Sequence, residues 1–255
     1  MACLSNHNFD RAREGYLNLL PVQKKNSLDP GDDADMVLAR RSFLEAGYYA
    51  PFRETLKGVI MPLHAGVLLD SGCGEGWYTE MMGDVSSELV ALDISKHAVK
   101  RAARRIDDAI WLVASSNDIP LYDHSIDVMT AIFSPVQVTE AARVLEEYGS
   151  LVIAAPGEKH LWELREALYP EVRAHESDKW LDSLASAFTL QFETAVQFSF
   201  TLPDNAAVRN LLQMTPHYWR AARDRRTVVE SLPSLTLQAD FRILVFRKIR
   251  AEQPD

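Results

Sequence analysis

Cysteine is scarce in this chain: 2 occur among 255 residues, Cys3 and Cys73. That is too few for a disulfide framework and suits a reducing compartment. No apolar run approaches the roughly 18 residues a membrane helix needs. Met1 to Asp10 lack both the basic and the apolar region of a secretory leader, so a cytoplasmic location without membrane partners is expected. Positive charge is also short, with 27 Lys and Arg against 36 Asp and Glu and a formal net charge of −9. A protein that coats nucleic acid indiscriminately is thereby excluded, because neutralising phosphates takes surplus cations. A structured RNA met through a local basic surface is not. Arg11, Arg13, Lys24 and Lys25 form one basic cluster, and Arg220, Arg223, Arg225 and Arg226 another. Such clusters are more often solvated faces than binding sites.

What is present is ordinary globular composition, 47% hydrophobic and 25% charged, without repeats or low-complexity tracts. Residues 1–35 read as an irregular element ending in the turn cluster Leu28 to Asp33. Helical spacing follows up to about Gly47, then a helix from Pro51 to Ile60 with proline at its first position. From residue 66 short apolar runs alternate with helical patterns. The runs are Val67–Leu69, Leu89–Leu92, Ile110–Val113, Val128–Phe133 and Leu151–Ala154; Lys96–Arg105 and Thr139–Glu147 are helical between them. That alternation means βαβ units and a parallel sheet. Two β-rich segments, Phe192–Leu202 and Leu235–Lys248, flank a helix at about Asn205–Leu212 and predict an antiparallel edge. The expected fold is therefore α/β and Rossmann-like, with the main domain over 36–255.

The sharpest local signal is Leu69 to Trp77, where a strand ends, glycines stand at 72, 74 and 76, and a helix begins. Glycine lets the backbone turn tightly and approach a ligand. Ligands of open parallel sheets bind at the carboxyl ends of the strands, where this loop falls. The spacing is G-x-G-x-G and not the G-x-G-x-x-G of pyrophosphate binders; Asp70 precedes it and Glu75 lies within it. Carboxylates facing the pocket would repel a pyrophosphate but suit the cationic sulfonium and amino group of S-adenosylmethionine. Asp93 ends the next strand, where a carboxylate can accept both ribose hydroxyls; the alternative is a helix cap before Ile94-Ser95. Ser115 and Ser116, after the third strand, supply small polar groups for an adenine edge. Cys73, inside the loop, reads as a packed residue and not a nucleophile.

Further segments carry a resemblance. They are Phe9-Asp10, Glu14 to Gln23, Asp29 to Asp32, Ala39 to Leu44 and Leu211 to Arg220. On these the chain resembles the bacterial 23S rRNA guanine-N1 methyltransferases of the RlmA type, from about Asn8 to Phe246. The resemblance implies a class I methyltransferase fold and methylation of guanine N1 in a 23S rRNA hairpin, with S-adenosylmethionine as methyl donor. It also implies an N-terminal zinc-binding element for RNA recognition. Carried over by matching position, Tyr49, Gly74, Glu75 and His160 contact the cofactor. Taken alone, Tyr49 would read as a core aromatic and His160 as a surface loop residue. The family's zinc site has two Cys-x-x-Cys ligands followed by a Cys-x3-His pair; here only Cys3 and His7 match, half of a tetrahedral set. A truncated or decayed element, with zinc doubtful, is the expectation. A homodimer is left open.

Phe133-Ser134-Pro135, after the fourth strand, stands where base-modifying enzymes place the target's edge. No residue declares itself as the base that removes the N1 proton. A base inside a hairpin must be unstacked, which makes Phe133, Tyr218 and Trp219 candidate stacking surfaces. Arg220 beside them fits a phosphate contact, and Pro216 should turn this segment off the preceding helix. Trp219 could equally be core. Two other function classes stand beside the RNA enzyme: a small-molecule methyltransferase on the same fold, and a non-catalytic cofactor-binding protein that docks on RNA.

Overall fold

The computed structural model describes residues 9–20, 30–172 and 181–249. Eight strands form one sheet: β1 (Leu17–Asn18), β2 (Ala65–Ser71), β3 (Ser86–Asp93), β4 (Ile110–Val113), β5 (Ile126–Ile132), β6 (Leu145–Pro156), β7 (Phe188–Leu202) and β8 (Leu235–Lys248). Their spatial order is β1-β4-β3-β2-β5-β6-β8-β7. Pairings from β1 to β6 are parallel, whereas β8 inserts between β6 and β7 and runs antiparallel to both. The expected antiparallel edge is thus a hairpin-like pair, β7 and β8. Strand order reverses beside β2, which opens a crevice at the carboxyl ends of β2, β3 and β5.

The helices are α1 (Ala34–Glu45), α2 (Ala50–Ile60), α3 (Trp77–Met82), α4 (Lys96–Ala102), α5 (Val138–Val144), α6 (Trp162–Leu168), α7 (Leu181–Leu184), α8 (Asn205–Gln213), α9 (His217–Arg220) and α10 (Arg223–Glu230). Local chemistry explains several starts. The Asp33 carboxylate accepts the Asp35 and Met36 amides and caps α1, and Pro51 sits in the first turn of α2. Alternation splits the strands between two faces. Leu68 joins Phe43, Phe52 and Phe241 on one, and Leu69 joins Met129, Leu151 and Leu244 on the other. Each such fully buried side chain contributes about 1.5–3 kcal/mol.

Three expectations are corrected. The helix expected over Thr139–Glu147 ends at Val144, because Leu145 is already extended (ψ 137°) and pairs with Ile126 as β6 begins. The one expected to reach Arg105 ends at Ala102, and Arg105 turns back to bind Glu75. The N-terminal element is not wholly irregular: Leu17 and Asn18 pair in parallel with Leu112 and Val113, and Tyr16 and Leu20 are buried against that edge. Among the described residues no helix is long and apolar enough to cross a membrane.

Candidate cofactor and substrate site

The β2–α3 loop is held from three sides. Gly72 has φ +84° and no room for a side chain, because an added Cβ would strike Ser134 at the end of β5. Gly74 has φ +56°, yet a Cβ there would meet nothing within 4 Å. One glycine is therefore closed on the neighbouring strand's loop, and the next faces open space. Gly76 packs on Ala102 of α4 and caps α3.

Asp93 stands beside this loop at the end of β3. Its Oδ2 accepts the Gly74 amide at 2.9 Å and its Oδ1 accepts the Ser95 amide at 2.8 Å. It is not the cap of α4: that is Ser95, whose Oγ accepts the Ala98 amide. Burial pushes the Asp93 carboxyl above its usual range, while the two amide donors pull it down. A carboxylate offers about four lone-pair sites, so two amides leave room for two hydroxyl donors.

The other two acidic residues of the motif, Asp70 and Glu75, are paired with protein groups. Asp70 is 1% exposed, and its oxygens accept the hydroxyls of Thr79 (2.6 Å) and Thr130 (2.8 Å). Burial raises its pKa to about 6. Glu75 is buried beside Arg105, whose Nε donates to its Oε2 at 3.0 Å, while its Oε1 is buried with no hydrogen-bond partner. The guanidinium offsets the cost of burying this charge through one oxygen, and the orphaned Oε1 is left to accept a further donor. Cys73 is buried, and its thiol is pushed far up by burial and by the carboxylates of Asp93 and Asp70. A buried thiol held in its protonated form acts as a packing residue of the loop. Ser115 and Ser116 follow β4 half-buried, and the Ser115 Oγ accepts the Asn117 amide.

Residues far apart in sequence form a second wall. Tyr49 Oη lies 3.5 Å from His160 Nε2, and the Asp240 backbone N–H donates to His160 Nδ1 at 3.3 Å. A backbone N–H can only donate, so Nδ1 is the acceptor nitrogen and the neutral ring carries its proton on Nε2. The His160 ring packs 4.5 Å from Phe241, and Phe241 lies 5.0 Å from Tyr49 and 5.2 Å from Phe133. Phe241, hub of this wall, carries no sequence signal beyond one strand position. Asp240 beside it holds the 157–160 turn, since its carboxylate accepts the Lys159 amide and the Gln197 side-chain amide. Phe133 sits at φ +55° and is 42% exposed, a left-handed conformation unusual for a bulky residue and one that clusters at ligand sites.

Among the described residues, the buried hydroxyls of Ser71 at the end of β2 and of Tyr78, whose ring lies 6.0 Å from Phe133, have no hydrogen-bond partner. Unsatisfied buried hydroxyls are costly and call for an explanation. An open Gly74, a carboxylate with spare lone pairs and two waiting hydroxyls fit a polar nucleoside with a charged amino-acid tail.

The α9 segment is placed differently from Tyr49 and His160. The chain breaks helix at Met214–Pro216 and resumes as α9. Trp219 is not core: it is 62% exposed. Tyr218 is half-buried beneath Arg226, whose guanidinium sits 4.5 Å over the ring and donates to the Tyr218 carbonyl. Arg226 is thus a structural clamp, while Arg220, Arg223 and Arg225 are exposed. Cys3 and His7 lie outside the described residues, among which no group of three or more potential metal ligands occurs.

Comparison with known proteins adds the family context. Residues 1–28 match the RlmA N-terminal zinc-ribbon model and residues 69–153 a methyltransferase domain model. The chain is 32% identical to the 23S rRNA (guanine(748)-N(1))-methyltransferase of Streptomyces fradiae, over 95% of this chain and 90% of that one. It is 29% identical to a Bacillus subtilis protein, YxjB, designated to the same 23S rRNA (guanine-N(1)-)-methyltransferase class, over 95% and 88%. Among solved structures, a Bacillus halodurans methyltransferase-type protein superposes with a TM-score of 0.55 at 17% identity, covering 76% of this chain and 99% of that one. The [4+2]-cyclase SpnF reaches 0.54, also at 17%, over 79% and 82%. These two likenesses speak for the fold alone.

Proposed function

The chain belongs to the family of 23S rRNA (guanine-N(1)-)-methyltransferases, and from that membership we propose that it methylates N1 of a guanine in a 23S rRNA hairpin, using S-adenosylmethionine. The observation that carries the reading beyond the family name is the meeting of Phe133-Ser134 with the glycine loop: Ser134 seals Gly72, while Gly74 stays open beside Asp93.

In this reading Asp93 takes the ribose hydroxyls, Gly74 admits the nucleoside to the backbone, and Ser115 and Ser116 border the adenine. Tyr49 and His160 close the other side of the cofactor site. When bound, S-adenosylmethionine supplies an electrophilic methyl on a cationic sulfonium. The chain's main task is alignment: holding nucleophile and methyl in line supplies several kcal/mol of a displacement barrier. Phe133, projecting from its left-handed backbone, offers a face to the flipped guanine, and Ser134 offers a hydroxyl to its edge. N1 must also lose its proton. Asp70 cannot receive it, being sealed under two threonine hydroxyls, and Glu75 is held through its Oε2 by Arg105. His160 Nδ1 is engaged by the Asp240 amide.

The N-terminal element, residues 1–35, serves RNA recognition in this reading, and the enzyme works in the cytoplasm. Of a zinc ribbon's four ligands this sequence matches Cys3 and His7, and its other cysteine, Cys73, is buried in the glycine loop. The deciding experiment incubates the purified protein with 23S rRNA fragments and isotope-labelled S-adenosylmethionine, then digests the RNA for mass spectrometry. Labelled 1-methylguanosine is expected; label in small molecules with none in RNA would overturn the proposal.

A further inference from the structure

We propose that Trp219 is a rigid stacking platform for a second, unpaired nucleobase of the RNA, one that flanks the target guanine. Tyr218 and Arg226 buttress the indole, and Arg220, Arg223 and Arg225 face the adjoining phosphates. The inference rests on the RNA reading above and adds to it a contact outside the methyl-transfer site.

Tryptophan is usually well buried, and Trp77 and Trp111 obey that rule at 6% and 3% exposure, whereas Trp219 stands at 62%. The helix that presents it is nevertheless tied down at Thr215, His217 and Tyr218. Thr215, just before α9, is buried and donates to the Leu212 carbonyl at 2.9 Å. His217 Nδ1 lies 3.0 Å from the Tyr169 hydroxyl. Arg226 clamps Tyr218 from carbonyl and ring face at once. Tyr218 in turn meets Trp219 edge to face, at 5.0 Å and 88°, a contact that occupies at most one face of the indole. A large aromatic held in place before binding loses little entropy when a partner stacks on it, which is how rigid aromatic anchors work in recognition surfaces.

The platform is joined to the mouth of the candidate site. Arg40 on α1 donates to the Met214 carbonyl at 3.3 Å and pairs with Asp32. The Asp32 carbonyl accepts the Ser95 hydroxyl at 2.6 Å, and the Ser95 amide binds Asp93 at 2.8 Å. From Asp93 to Met214, just before the turn into α9, the polar contacts are continuous. Charge selects the occupant. In a chain of net charge −9, α9 and the start of α10 expose Arg220, Arg223 and Arg225, with Asp224 offsetting one of them. An exposed π-face bordered by guanidinium groups matches a base and its phosphates, and every base has a face to stack. A target guanine drawn out of a hairpin leaves its neighbours partly unstacked, and a neighbour is what this platform would hold.

The test measures binding and methylation of 23S rRNA fragments by the full chain and by Trp219→Ala, Trp219→Phe and Arg220→Ala. Trp219→Ala should weaken RNA binding about 5- to 100-fold, raise KM for RNA more than it lowers kcat, and leave cofactor affinity and Tm unchanged. Trp219→Phe should restore most of the loss. Arg220→Ala should weaken binding less, and its effect should shrink at low salt. A second arm replaces each nucleotide beside the target with an abasic one, and at one position the penalty of Trp219→Ala should vanish. Binding by Trp219→Ala equal to wild type would overturn the platform while methylation by wild type keeps the enzyme reading intact. So would a penalty that no abasic position removes, or a change in oligomer mass with RNA affinity untouched, which would make Trp219 a contact between copies. Wild type that neither binds nor methylates any fragment would overturn both readings.

Discussion

The glycine-loop wall and the aromatic wall of the candidate site are built by opposite routes. The first is local: Asp70 to Gly76 and Asp93 to Ser95 come from two consecutive βα units, and Asp93 reaches Gly74 across 19 residues. It is made of backbone amides, which any sequence supplies, and of glycines that keep them accessible. The second is assembled from residues as far apart as Tyr49 and Phe241, and its contacts are side chain on side chain. Local walls are dictated by backbone geometry, and single changes there should break binding outright. Dispersed walls spread their contribution over many contacts, and single changes should tune it.

The largest effect expected on cofactor binding comes from the paired substitutions Gly72→Ala and Gly74→Ala. At Gly72 the new methyl meets Ser134 and the backbone is left-handed. The cost should be about 2–4 kcal/mol of stability from strain and overpacking together. At Gly74 only the left-handed backbone is penalised, by about 1–2 kcal/mol, so the protein should fold and instead lose cofactor affinity. Thermal melts and calorimetry separate the two. Equal melting temperatures would mean that Gly72 is not closed against Ser134.

Asp93→Ala comes next. Losing the charge-assisted hydrogen bonds should weaken S-adenosylmethionine by about 1–3 kcal/mol, some 5- to 150-fold. Unchanged affinity in calorimetry would remove Asp93 from the site. On the aromatic wall Asp240→Ala should cost less, about 1 kcal/mol of cofactor affinity, because Asp240 acts only by holding the turn that carries His160. Asp240→Asn should be nearly silent: its oxygen still accepts the Lys159 amide, and its NH2 can donate to Gln197 once that side-chain amide flips. In a His160→Ala background Asp240→Ala should cost nothing further, and additive losses would show that Asp240 is merely structural.

The same contrast sets what the sequence could reveal. The strand at Ile110–Val113 and the strand at Leu235–Lys248 were legible to the residue, because apolar runs with clear stops carry their own boundaries. Leu145 was not, since its pairing with Ile126 outweighs the helical spacing that runs into it. Gly74 and Asp93 were readable from strand ends and spacing. The ion pair of Glu75 was not, because Arg105 lies 30 residues away and outside the motif. Tyr49 and His160 entered through family resemblance alone, and Phe241 and Tyr78 were missed. An aromatic in a strand or helix looks like core until the fold shows that it borders an opening. Trp219 was balanced between core and surface on sequence; its exposure decides the matter.

The smallest effect on binding, none, is expected from Asp70→Asn, and that makes it the sharpest probe of the local wall. Asp70 belongs to the motif, yet its carboxyl is sealed under Thr79 and Thr130 and does not face the opening beside Gly74. An asparagine keeps one threonine bond as acceptor and reverses the other as donor, so the packing should survive. Burial raises the Asp70 pKa from an ordinary 3.8 to about 6. The folded protein thus prefers the neutral carboxyl. The stability this preference gives is fully present below the unfolded pKa and is lost as pH rises through about 6. The full linkage is at most about 3 kcal/mol, and relaxation around the charge should leave about 1 kcal/mol of it, or some 2–4 °C in Tm. Asp70→Asn, which has no proton to lose there, should gain on wild type between pH 5 and 7.5, and the two should converge towards pH 4. Melting curves across that range give the difference, and calorimetry at pH 7.5 gives the cofactor affinity of both. A parallel pH profile would mean that Asp70 stays charged in the fold. A weakened cofactor would mean that Asp70 reaches the ligand after all, making the local wall two carboxylates wide.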